Sequence, residues 1–202
     1  MAHNLTQTDE YIIPAELIDL THQFVTPEQF EQLCIEYDEL RLELTSSGEL
    51  IVMPPTGSET GRSNSNLTYQ LEAWARTDGT GICFSSLAGF TLPNGAIRSP
   101  DASWIKRDKW ELLTDKEKNG FAPICPDFVI ELRSRSDRLA DLFDKMLEYT
   151  QNGLSLGWLI DSSERRVYVY RPHQELIVLQ NSRTVSGDPL LPGFTLDVTE
   201  LW

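Results

Sequence analysis

Basic residues are scarce where the chain begins: residues 1–61 hold twelve acids and a single base, Arg41. That imbalance sets most of the net charge of −14. A surface of that sign gives no loose electrostatic hold on nucleic acid. The shortage then ends, because residues 62–97 carry two acids and two bases and residues 98–145 carry ten of each. The middle of the chain can therefore still gather a basic face. Long apolar runs are missing as well, and none approaches the roughly 20 residues of a membrane span. The opening "MAHNLTQTDEYIIPAEL" lacks the basic and apolar regions of a signal peptide, so a cytoplasmic location is expected. Cys34, Cys83 and Cys125 show no CxxC spacing and are expected as reduced thiols, and the three histidines are too dispersed to suggest zinc.

What is present is ordinary for a globular protein: 202 residues, 40% hydrophobic and 24% charged. One domain over residues 1–202 is expected, with residues 1–25 as an extended arm interrupted by Pro14. Thr26, Pro27 and Gln29 stand at the N-cap, N1 and N3 positions of a short helix. "ELRLEL" and "ELIVM" flank Ser46-Ser47-Gly48 and read as a hairpin ended by Pro54-Pro55. A helix over about 58–76 carries Leu67, Leu71 and Trp74 as its apolar stripe. "GICFSS", "GFTL" and "DASWI" read as strands, and residues 106–124 as turn-rich with a helical turn or two. A strand over 127–133 is followed by a helix over about 137–152 with Leu139, Leu142, Phe143, Met146 and Leu147 on one face and Gly153 after its end. "LGWLID" and "RVYVYR" form the next strands, and the tail holds one or two more. Strand 127–133, its helix and strand 156–161 make a βαβ unit with parallel strands. The surrounding hairpins are antiparallel, so the expected fold is α/β, a mixed central sheet flanked by helices with an N-terminal helix and hairpin added.

One residue breaks the pattern. In "CPDFVIELRSRSD" the carboxylate of Glu131 sits inside an apolar strand, where an unpaired charge is costly to desolvate. If strand 101–105 pairs antiparallel with 127–133, Asp101 of "SPDASWI" lies opposite Glu131, with roughly 5 Å between Cβ atoms. Two carboxylates at that separation repel unless a cation lies between them. Magnesium suits such a site, since it takes one or two carboxylates, keeps waters and recruits phosphate oxygens. Asp127, about 13 Å from Glu131 at strand rise, is too far to share the ion. Arg133 falls on the same strand face as Glu131 and is suited to clamping a phosphate. Lys145 borders the apolar face of helix 137–152, its stem on the core and its ammonium within reach of the sheet edge.

Together "SPDASWI", "PDFVIELRSRSD" and "DKMLEYTQNGLSLGWLIDSSERRVYVYR" resemble the Uma-type restriction endonuclease family of the PD-(D/E)xK nuclease superfamily, from about residue 27 to "LPGFTLD". The resemblance implies a restriction-endonuclease-like fold, with Asp101 and Glu131 as the metal carboxylates. Position 133 departs from the motif, carrying arginine where the superfamily has lysine, and the resemblance suggests Lys145 as the replacement. Glu59 enters as a possible further metal ligand, because the superfamily often places a helix glutamate by the metal. A Thr56-x-x-Glu59 capping box explains the same residue without chemistry. The reading that follows is a magnesium-dependent endonuclease hydrolysing DNA, with manganese as a substitute ion. A homodimer is expected, since cutting both strands of a duplex calls for two active sites.

Each residue also has a plainer reading. Asp101 fits a turn after proline, Glu131 an ion pair with Arg133 or Arg135, and Lys145 a snorkelling helix lysine. Two other functions remain open. A nuclease fold without activity could serve as an interaction or dimerisation module. A carboxylate pair could also act on glycosides, which needs sugar-stacking aromatics, and only Trp104 is near in sequence.

Overall fold

Residues 23–38, 40–53 and 56–202 are described by a computed structural model. Most of the expected arm, residues 1–22, and the Pro54-Pro55 break lie outside the described residues. The chain runs α1 (Pro27–Glu36), β1 (Arg41–Leu44), β2 (Leu50–Met53), α2 (Ser58–Asp78), β3 (Gly81–Ser85), β4 (Phe90–Thr91), β5 (Ile97–Arg98) and β6 (Ala102–Lys106). It continues with α3 (Arg107–Glu111), α4 (Asp115–Asn119), β7 (Phe128–Leu132), α5 (Leu139–Gln151), β8 (Leu156–Asp161) and β9 (Arg166–Tyr170). β10 (Ile177–Gln180), β11 (Thr184–Ser186), β12 (Thr195–Asp197) and a 3-10 turn at Thr199–Leu201 close it. The tail thus holds three strands where one or two were expected.

β10-β9-β8-β7-β6-β3 form a six-stranded sheet in which β7 and β8 alone are parallel. Helix α5 makes the crossover between them, as the βαβ reading requires. Alternation along β7 sends its side chains to two different cores. Phe128, Ile130 and Leu132 join Leu67, Leu71 and Ala75 of α2 together with Phe194 and Leu196 of the tail. Val129 packs on the other face with Met146 and Tyr149 of α5. Gly157 keeps α5 close to the sheet, since a Cβ there would meet the Met146 methyl at 2.5 Å and Leu154 at 2.8 Å. Leu147, expected on the buried face, is half exposed, and Tyr149 takes that place in the core.

A second sheet, β2-β1-β5-β4, carries the N-terminal hairpin. The capping box at Thr26 and Gln29 forms and starts α1, which packs Phe30 on Leu42, Leu44 and Leu50. Both faces of β1 are covered, so the "ELRLEL" alternation does not leave Glu43 in water. Among the described residues no helix is long and apolar enough to cross a membrane.

Candidate functional site

The β6–β7 register pairs Ala102 with Ile130, and one step further sets Asp101 against Glu131 at a single edge of the sheet. This is the juxtaposition the sequence predicts. Both carboxylates are buried. Glu131 shares its strand face with Val129 and so looks toward α5, where Lys145 and Tyr149 lie one helical turn apart. Glu131 Oε1 accepts from Lys145 Nζ at 2.8 Å and from the Tyr149 hydroxyl at 3.1 Å.

Lys145 has a second partner that sequence reading missed. Its Nζ also donates to Glu43 Oε1 at 2.8 Å. Glu43, on β1, further accepts from the Ser99 backbone N–H at 2.8 Å and from Arg98 Nη1 at 3.1 Å. Arg98 continues to Glu148 at 2.6 Å. No local signal marks it: Glu43 in "ELRLEL" alternates with leucines as a solvent-facing residue would, unlike Glu131 inside the apolar run "FVIEL". Its partner lies 102 positions away.

Asp101 faces a different set of groups. Its Oδ2 accepts from the Leu132 backbone N–H at 2.8 Å, and its Oδ1 from Asn64 at 3.1 Å and Arg41 at 3.4 Å. Asp101, Glu131, Glu43 and Glu148 together outnumber Arg41, Arg98 and Lys145 by one charge. The shortfall appears at Glu131. Burial raises its pKa to about 7, with Asp101 and Glu43 adding to the rise and Lys145 opposing it. Burial acts against the charge of Glu43 too, yet Lys145 and Arg98 prevail and hold its pKa down. For Lys145, burial favours the neutral amine, but Glu131 and Glu43 outweigh it and keep the ammonium.

The displaced proton of Glu131 has a measurable consequence. Its ordinary value is 4.5 and its folded value about 7. Between those values the native state keeps a proton that the unfolded chain has released. This contribution is therefore complete below about pH 4.5 and is lost as pH rises through 7. Thermal melts of metal-free protein between about pH 5 and 8 should show wild type losing stability relative to Glu131→Gln as pH rises. Parallel curves for the two proteins would refute the assignment.

The remaining expected residues are placed as follows. Glu59 is not at the site: it is exposed and bonded to Arg62 at 2.7 Å. Nor does the Thr56 capping box form, because Gly57 occupies the N-cap of α2 without a side-chain bond. The α2 residue that does reach Asp101 is Asn64. Arg133 pairs with Asp161 at 2.6 Å and reaches the Asp137 carbonyl at 3.4 Å, so it is not the partner of Glu131. Asp127 accepts from the Lys106 N–H at 3.0 Å and lies 3.5 Å from Lys109, a structural role. Trp104 is buried in the core and offers no face to a sugar.

The donor set suits a hard divalent cation. Asp101 and Glu131 contribute carboxylates, and Asn64 Oδ1, on the residue touching Asp101, is buried without a hydrogen-bond partner. All three are oxygen donors of the kind magnesium takes. Among the described residues no group of three or more His, Cys, Asp or Glu converges for a metal. A carboxylate pair, unlike a closed cage, would leave positions for water and substrate oxygen around such an ion.

A family model described as "Uma2: Putative restriction endonuclease" matches residues 27–199. Among solved structures, "a putative nuclease belonging to DUF820" from Anabaena variabilis ATCC 29413 aligns with a TM-score of 0.68. The match has 23% identity over 81% of this chain and 90% of that one, and at that identity it speaks for the fold. No curated protein matches the chain.

Proposed function

Because this chain belongs to the Uma2 family of restriction-endonuclease type, we propose that it hydrolyses DNA phosphodiester bonds with magnesium, which manganese can replace. The observation that carries the reading is the contact of Lys145 with Glu131 beside Asp101 at one sheet edge. Asp101 and Glu131 would hold the ion, with Asn64 Oδ1 as a further oxygen. A magnesium ion there supplies Lewis-acid polarisation of the phosphate and lowers the pKa of water.

Lys145 has the electrostatic part. Its proton is held by two carboxylates, so it is a poor base and a good donor to charge developing on phosphorus. Glu43, bonded to the same nitrogen, would retain that ammonium at the site with Glu131 holding the ion. Tyr149, whose hydroxyl is kept protonated by burial and by Glu131, orients the Glu131 carboxylate. Arg133 is itself oriented by Asp161. Among the described residues its Nη2 has no hydrogen-bond partner, which leaves it for a neighbouring phosphate oxygen.

Calorimetric titration of metal-free protein with magnesium, paired with nicking of supercoiled plasmid, tests this reading. Binding at millimolar ion or below and nicking that EDTA stops are expected. No heat and no nicking would favour an inactive module built on the same fold.

A further inference from the structure

Arg41 and Asn64, which bond to Asp101, also line a cleft of about 730 Å3. Arg41 Nη2 donates to the Ser99 carbonyl at 2.8 Å, so a phosphate there would meet the remaining N–H groups of its guanidinium. The cleft runs along one stripe of α2, whose residues 61, 64, 65, 68, 69 and 72 all line it. Opposite stand Ser85, Ser86 and Leu87 at the end of β3, with Met53 at the end of β2. The core-facing stripe of α2 is a different one, with Leu67, Leu71 and Ala75. Neither this cleft nor a separate concavity of about 440 Å3 around Arg171 and Pro189 is lined by Asp101 or Glu131, but only the cleft includes residues bonded to Asp101.

The chemistry of this cleft is unusual for a nucleic-acid surface. Its charged lining residues are one base, Arg41, and one acid, Glu72. Glu72 is already paired with Arg76 at 2.6 Å. The rest is hydroxyl, amide and apolar. Two large groups stand out into solvent, Tyr69 at 72% and Leu87 at 84% exposure. A duplex presents two charged backbones and is held chiefly by neutralising phosphates, which one arginine cannot do. An unpaired strand also presents base faces, and those are held by stacking on aromatic rings and by neutral hydrogen bonds. Exposed Tyr69 beside a row of Ser and Thr hydroxyls matches the second kind of ligand.

We propose that this cleft binds unpaired, single-stranded DNA, with a base stacked on Tyr69 and a phosphate at Arg41, and feeds it to the Asp101–Glu131 edge. The proposal rests on the nuclease reading for its choice of ligand and names the substrate class of that site. Binding of one phosphate by one cation also implies weak salt dependence, a slope of about −0.7 in log K against log salt.

Fluorescence anisotropy in EDTA separates binding from cleavage. The probes are a labelled twelve-nucleotide single strand and the same strand annealed to its complement. The single strand should bind at least about tenfold more tightly than the duplex. Tyr69→Ala should weaken single-strand binding about tenfold, within the range that loss of one stacked base produces, and Tyr69→Phe should retain it. Equal or tighter duplex binding, no binding of either probe, or an unchanged Tyr69→Ala protein overturns the proposal. The two readings fail separately. A protein that binds the strand but never cuts it keeps the cleft and loses the nuclease. One that cuts while Tyr69→Ala binds normally does the reverse.

Discussion

Glu131→Gln should reduce magnesium-dependent DNA cleavage by about a thousandfold or more while leaving the protein as stable at pH 7 as wild type, or more so. On the proposed mechanism the loss follows from removing one of the two carboxylates that would hold the ion, since Lewis-acid stabilisation is worth several kcal/mol and each 1.36 kcal/mol is about tenfold in rate. The retained stability follows from the pKa of about 7 at Glu131. The fold already resists that charge, and a glutamine oxygen can still accept from Lys145 and Tyr149. Cleavage assays beside thermal melts check both halves at once. Full activity in the variant would remove Glu131 from the mechanism, and a large drop in melting temperature would mean that its charge is structural.

Glu43→Leu should behave in the opposite way. Glu43 is the acid that Lys145 and Arg98 share, and all three side chains are almost wholly buried. Removing it strips both cations of a partner. Arg98 keeps Glu148, and Lys145 keeps Glu131, whose charge is the disfavoured one. Breaking a buried pair from one side typically costs about 3–5 kcal/mol. In a chain of this length that lowers the melting temperature by roughly 10 °C. Urea unfolding at pH 7 in EDTA measures it, and a loss no larger than that of Glu131→Gln would contradict the division of labour between the two acids.

The register that brings Asp101 to Glu131 was legible because it needs only strand period and two Pro-Asp starts, both local signals. Lys145 was legible from helix period, which put its stem on the apolar face of α5. Glu43 was not. Alternation alone reads every second strand residue as solvent-facing, and nothing local says that a second layer covers β1. Glu59 failed for a local reason of its own. Thr56 and Glu59 have capping-box spacing, but Gly57 takes the N-cap, and the glutamate turns outward to Arg62. Asn64, a polar residue in the middle of α2, carried no pattern that would single it out.

The amine of Lys145 touches one acid from each sheet, Glu131 of the six-stranded one and Glu43 of the hairpin one. It therefore fastens two layers together, apart from the electrostatic role proposed for it. A descendant of this chain that gave up catalysis would still need the same nitrogen to keep its layers joined. Finding the lysine in place in such a protein would testify to architecture, whereas the fate of Glu131, whose charge the fold resists, would speak for chemistry.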